Sequence, residues 1–156
     1  MKERLVNTAS ELVQPSQSAV QAFSQKRDQL SAKGNQIMGE RQDLEKLLGP
    51  GNVRMAEDNN RNFARFMESM FLEYDPKVLV ETVLWVFRAY RSHGFQTTYW
   101  AANLNIWVGM INQELPRETF EAIYPFYNWL IVNIPIFVKL TEENCGDCSS
   151  EGIPAH

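Results

Sequence analysis

Histidine and cysteine are nearly missing from this chain: there are two of each in 156 residues. A Ser-His-Asp or Cys-His arrangement would have to be built on His93, since the other histidine, His156, is the last residue. His93 stands directly before Gly94, where a cation at a helix end suits the helix dipole better than catalysis does. The Glu-x-x-His pairs of di-iron bundles and the spacings of zinc proteases and phosphate loops are absent as well. Net charge is only -4, and no stretch forms a basic field, which excludes nucleic acid and an anionic membrane surface as main partners. The most apolar run, Phe126 to Val138, is interrupted by Asn128, Asn133 and Pro135 and falls short of the roughly 20 apolar residues a membrane span needs. Met1-Lys2-Glu3-Arg4 leads into a polar stretch, not an apolar signal core, so a cytoplasmic location is expected. Alternating strand patterns and repeats of 20–50 residues are lacking too.

Aromatic residues, by contrast, are plentiful: nine Phe, five Tyr and four Trp. Such side chains fill cores and also line pockets for flat apolar ligands. A single chain of this length buries roughly 68–70% of its unfolded surface and needs no disulfide or metal to fold. The pattern predicts an all-α fold with three parts. Residues 1–48 form an N-terminal amphipathic helical segment, with a long helix from about Ser16 to Leu48 that starts after Pro15 and is weakened at Gly34. Phe23, Leu30, Ile37 and Leu44 recur every seven residues, but their companion positions are polar or Gly, so the column is half of a coiled-coil seam. It suits either the chain's own core or a homodimer contact.

Gly49-Pro50-Gly51 is a break, and residues 49–140 form the helical core. Asn52 is placed to cap a helix carrying Phe63, Phe66, Met67, Met70, Phe71 and Tyr74. Asp75-Pro76 starts another, with Leu79, Val80, Val83, Leu84, Phe87 and Tyr90 as its stripe and Gly94 as a left-handed end. Thr97 or Thr98 caps a third, in which Trp100, Leu104, Trp107, Met110 and Ile111 share a face. A last long helix runs from Pro116 to about Lys139, interrupted by Pro125 and Pro135. Glu57, Asp58, Asn59, Asn60 and Asn62 read as a solvated polar surface, and Glu81 as outward-facing. Residues 141–156 form a flexible acidic tail. It contains Cys145-Gly146-Asp147-Cys148, a spacing that supplies half a zinc site or a thiol–disulfide pair, so Cys145 and Cys148 are the metal-ligand candidates.

From Tyr90 to Leu130 the chain resembles the C-terminal half of a bacterial globin. Tyr90 stands at the position of the proximal haem ligand, Gly94-Phe95 and Tyr99-Trp100 follow at the usual distance, and Ala122 and Tyr127 fall in the last helix. With Tyr90 in place of histidine and His93 displaced by three residues, the chain is similar to the non-haem globin-like sensor domains of bacterial stress signalling. The resemblance implies a globin-like helical bundle, a homodimer, a signalling protein partner, and an apolar ligand such as a fatty acid in the space of the haem. Haem held by Tyr is the alternative that the position leaves open. Where adjacent helices meet, Met67, Met70, Phe87, Tyr90, Trp100, Asn103 and Trp107 provide apolar walls with a few polar groups, as a ligand pocket requires. A filled core is the other reading of the same stripe. The expected function is a non-enzymatic sensor or ligand-binding module. The alternatives are a helical dimerisation module and a haem or metal protein.

Overall fold

Asp75 shows how local sequence sets this architecture. Its carboxylate accepts from the backbone N–H groups of Lys77 and Val78 at 3.0 and 3.3 Å, and Pro76 follows at the first helical position, where its missing N–H costs nothing. The helix so started ends at Gly94, which takes a left-handed φ of 100°. There Phe95 N–H reaches back to Tyr90 C=O, Gly94 N–H reaches Arg91 C=O, and the Phe95 ring packs on that of Tyr90, a complete Schellman closure.

The computed structural model describes residues 1–143. Among them are eight helices and no strand: α1 (Lys2–Ala9), α2 (Gln17–Gly39), α3 (Leu44–Leu48), α4 (Val53–Leu72), α5 (Pro76–Ser92), α6 (Thr98–Glu114), α7 (Arg117–Val132) and α8 (Ile134–Glu143). Cys145, Cys148 and His156 lie outside the described residues. One apolar core runs from Leu5 to Phe137 and includes residues on both sides of Gly49-Pro50-Gly51.

The expected long N-terminal helix is corrected. The first helix is short, and the long one is second. α2 begins at Ser16, whose hydroxyl accepts from Ala19 N–H, and stops at Gly39, well before Leu48. After it, Arg41 forms a two-pronged ion pair with Asp43 in a turn, and α3 is a separate short helix. α2 packs chiefly on α4 and also on α6 and α7. Phe23 and Leu30 are fully buried there, and Ile37 and Leu44 pack against the same core. The heptad column therefore packs on the chain's own helices. Gly34 lets α2 approach α6: a Cβ at this position would meet the Met110 methyl at 3.1 Å.

Two other caps differ from expectation. The Asn52 side chain does not cap α4. Its amide donates to Leu48 C=O and His93 C=O, both at 2.7 Å, and so ties the loop before α4 to the loop after α5. Thr97 precedes α6 without a side-chain cap. The last long helix is two helices, α7 and α8, bent by 44° where Asn133 precedes Pro135. No single helix among the described residues is long and apolar enough to cross a membrane; only this bent pair, taken together, has both the length and the composition. Its large side chains Ile123, Phe126, Tyr127, Leu130 and Phe137 are buried in the core.

The N-terminal turn region is pinned by Tyr74. Its hydroxyl donates to Ala9 C=O at 2.6 Å, while Gln14 bonds Leu72 C=O and Tyr74 N–H. Burial raises the Tyr74 phenol from its usual 10 to about 12. The folded chain thus holds this proton more tightly than the unfolded one, so the hydroxyl's contribution is complete below pH 10 and is lost as pH rises through about 12. Tyr74→Phe should cost about 1 kcal/mol at neutral pH. In urea unfolding, the gap between wild type and variant should close between pH 10 and 12. A gap that stays constant over that range would remove Tyr74 as its cause.

Candidate ligand-binding cleft

α4 and α5 are consecutive in the chain, yet they make little contact with each other. α4 is drawn to α2, and α5 to α1 and α8. Between them lies a cleft of about 350 Å³. α4 contributes Asn59, Asn62, Phe63 and Phe66, a one-sided stripe spaced by three and four residues. α5 contributes Thr82, Val83, Trp85, Val86, Phe87 and Tyr90. The floor is Trp100, Asn103 and Leu104 of α6, with Leu130 of α7 and Phe137 of α8 behind. Exposed Asn62 and half-buried Thr82 mark the polar edge of the cleft.

The rings hold one another in place. Phe87 stacks on Trp100 at 4.5 Å and meets Phe137 edge-on at 5.3 Å. Tyr90 leans on Trp100 at 5.6 Å and on Phe95 at 5.0 Å. Such pairs prefer these offset and edge geometries because of the ring quadrupole. Burial, reinforced by the charge of Asp58, raises the Tyr90 phenol above its ordinary value, so it stays protonated and neutral.

A buried polar network backs the floor. Asn60 Oδ1 accepts from Asn103 Nδ2 and from Trp107 Nε1, each at 2.9 Å. Asn60 Nδ2 donates to Asn35 Oδ1 at 2.9 Å, and Asn35 Nδ2 donates to Glu57 C=O at 3.3 Å. Nearby, Asn59 Nδ2 donates to the Tyr99 hydroxyl at 3.1 Å. The reading of Asn59 and Asn60 as solvated surface is thus corrected: they are 6% and 1% exposed, because they lie on the inner side of α4, where Asn60 bonds Asn35 of α2 and Asn103 and Trp107 of α6, and Asn59 bonds Tyr99 of α6. Asn62 and Asp58 do remain exposed. Glu81 faces outward, 3.9 Å from Lys2.

Of the seven residues expected to form a pocket, Phe87, Tyr90, Trp100 and Asn103 come together in the cleft wall. Met67, Met70 and Trp107 do not line it. Each sits one turn beyond a lining residue (Phe63, Phe66 and Asn103), in the filled part of the core. There Phe63, itself a lining residue, packs edge-on to Trp107 at 5.4 Å and to Tyr127 at 5.9 Å. Sequence reasoning missed the α5 residues Val83, Trp85 and Val86 as wall. The available signal was that α5 is apolar around more of its circumference than one interface requires. His93 lies outside the cleft, exposed, with Nδ1 2.8 Å from Ala89 C=O at the helix end. No group of three or more metal-ligating side chains occurs among the described residues.

No family model, no curated protein and no solved structure matches the chain.

Asn60→Leu would leave the Asn103 amide, the Trp107 indole and Asn35 without their shared partner. At about 1–3 kcal/mol for each unpaired group, urea unfolding should report a loss of at least about 3 kcal/mol. Asn62→Ala, on the exposed side of the same helix, should stay within about 0.5 kcal/mol of wild type. Equal losses at the two positions would show that the network holds nothing together.

Proposed function

We propose that this chain is a non-enzymatic module that binds a small apolar molecule in the cleft between α4 and α5 and serves as a sensor. The observation that carries the reading is the cleft itself: about 350 Å³, walled by rings and aliphatic side chains. This falls in the range of roughly 300–1,000 Å³ typical of small-molecule sites. Space on this scale in so aromatic a core supports a binding role better than a packing defect.

The lining also supports a non-catalytic reading. It contains no carboxylate, histidine, lysine or cysteine, and its one titratable group, the Tyr90 phenol, is held neutral by burial. General acid–base work needs a group poised near the working pH, and a neutral buried phenol is far from that.

In this reading Tyr90 stands where the globin resemblance puts the proximal ligand, and its space belongs to an apolar guest. Signalling to a protein partner would rest on the guest's preference for one separation of α4 and α5 over another, since a ligand shifts an equilibrium only by its differential affinity.

Titration with the uncharged dye N-phenyl-1-naphthylamine tests the reading. Wild type should give a saturable, 1:1 rise in fluorescence. Val86→Trp, which puts an indole into the cleft from α5, should abolish that rise while the helical circular dichroism persists. A linear, unsaturable response from wild type would overturn the proposal.

A further inference from the structure

The cleft wall is uncharged, but several of its polar groups lack partners. Asn59 spends its Nδ2 on the Tyr99 hydroxyl, and its Oδ1 accepts from no described residue. The Tyr90 hydroxyl likewise has no hydrogen-bond partner among the described residues. On the floor, Asn103 donates its Nδ2 to Asn60 and leaves Oδ1 unpaired. Trp100 Nε1, one turn away on α6, is a donor without an acceptor. Asn59, Tyr90, Trp100 and Asn103 are only 6%, 8%, 6% and 2% exposed. Trp100 Nε1 and Asn103 Oδ1 are buried atoms without a partner, whereas the Asn59 oxygen and the Tyr90 hydroxyl belong to the cleft lining and are within reach of a ligand.

Resting on the reading of the cleft as a ligand site, we infer that its ligand is an uncharged, flat ring system bearing a hydroxyl or amide, held at that group by Asn59 and Tyr90. The absence of charge follows from the wall, which offers no cation to a carboxylate and no anion to an amine; burying an unpaired ion is prohibitive. Flatness follows from the rings that frame the space, Phe63, Phe66, Tyr90 and the stacked Phe87–Trp100 pair. The hydroxyl or amide follows from the two groups a ligand can reach, an acceptor (the Asn59 oxygen) and a donor (the Tyr90 hydroxyl). A hydroxyl or amide both donates and accepts, and so complements such a set. Trp100 Nε1 and Asn103 Oδ1 are buried atoms. Asn59 and Tyr90 have no such unpaired buried atom, and they are the groups assigned to hold the ligand.

Isothermal titration with naphthalene, 2-naphthol and 2-naphthoate separates the outcomes. 2-Naphthol should bind about tenfold tighter than naphthalene, the effect of one net hydrogen bond. 2-Naphthoate should bind at least about tenfold weaker than 2-naphthol, because its carboxylate has no cation to meet. Tyr90→Phe removes a hydroxyl that no described residue uses and keeps the ring packing, so the fold should survive. In Tyr90→Phe the naphthol advantage should fall below about twofold, one hydrogen bond having been removed. Asn59→Ala should reduce it as well.

Equal binding of naphthalene and 2-naphthol would overturn this inference while leaving the apolar binding site in place. Tight binding of 2-naphthoate would overturn it too, as would a naphthol advantage that persists in both variants. Failure of all three probes and of the dye would overturn the binding reading along with it.

Discussion

Asn60 accepts from Asn103 and Trp107 with one oxygen and donates to Asn35 with its nitrogen, so a single buried amide joins α2, α4 and α6. Its geometric demand is strict. An apolar residue packs tolerably in several rotations of a helix, whereas this amide is satisfied in only one. An unpaired buried amide costs about 1–3 kcal/mol, a large part of a small domain's net stability. The network therefore fixes the rotation of α4 and α6 about their own axes. The face of α4 presented to the cleft, and the placing of Trp100 and Asn103 on the floor, follow from that rotation.

With α4 committed to α2, and α5 committed to α1 and α8, these two neighbours in sequence are held apart. Arg91 secures the second commitment by donating to Val138 C=O and Thr141 Oγ1 of α8 at 3.0 and 2.8 Å. The cleft is the space left between two helices that each have a better partner. Its walls are apolar because α5 is apolar around most of its circumference, and it stays open because the stacked Phe87–Trp100 pair and the Tyr90–Phe95 contact brace it from the α6 side.

Features set by backbone chemistry over a few residues were legible in the sequence. Asp75-Pro76 begins a helix and Gly94 ends one, because a carboxylate cap, a fixed φ and a left-handed glycine act within one turn. Four of the seven residues expected to form a pocket reached the cleft for a similar reason, since they follow the spacing of α5 and α6. The three that did not, Met67 and Met70 of α4 and Trp107 of α6, lie one turn beyond a lining residue, and periodicity says nothing about where along a helix a cavity ends. Asn59 and Asn60 were misread because a run of asparagines has the composition of a surface. The Phe23–Leu44 column left its partner undetermined, because an apolar column states that something will cover it and leaves open what does.

Taken alone, the sequence determined the helical class, the helix boundaries at Ser16, Asp75-Pro76 and Gly94, and the aromatic supply for a core. These are consequences of local propensity, capping and residue type, which act at short range along the chain. Tertiary structure alone decided that α2 is a core helix, that buried asparagines lock three helices, and that α4 and α5 part to leave a cleft walled by Phe87, Tyr90, Trp100 and Asn103. Each of these depends on which helix wins the contest for a shared face. That contest is settled by packing and hydrogen-bond satisfaction between residues 25 to 47 positions apart, a distance over which a local pattern carries no information.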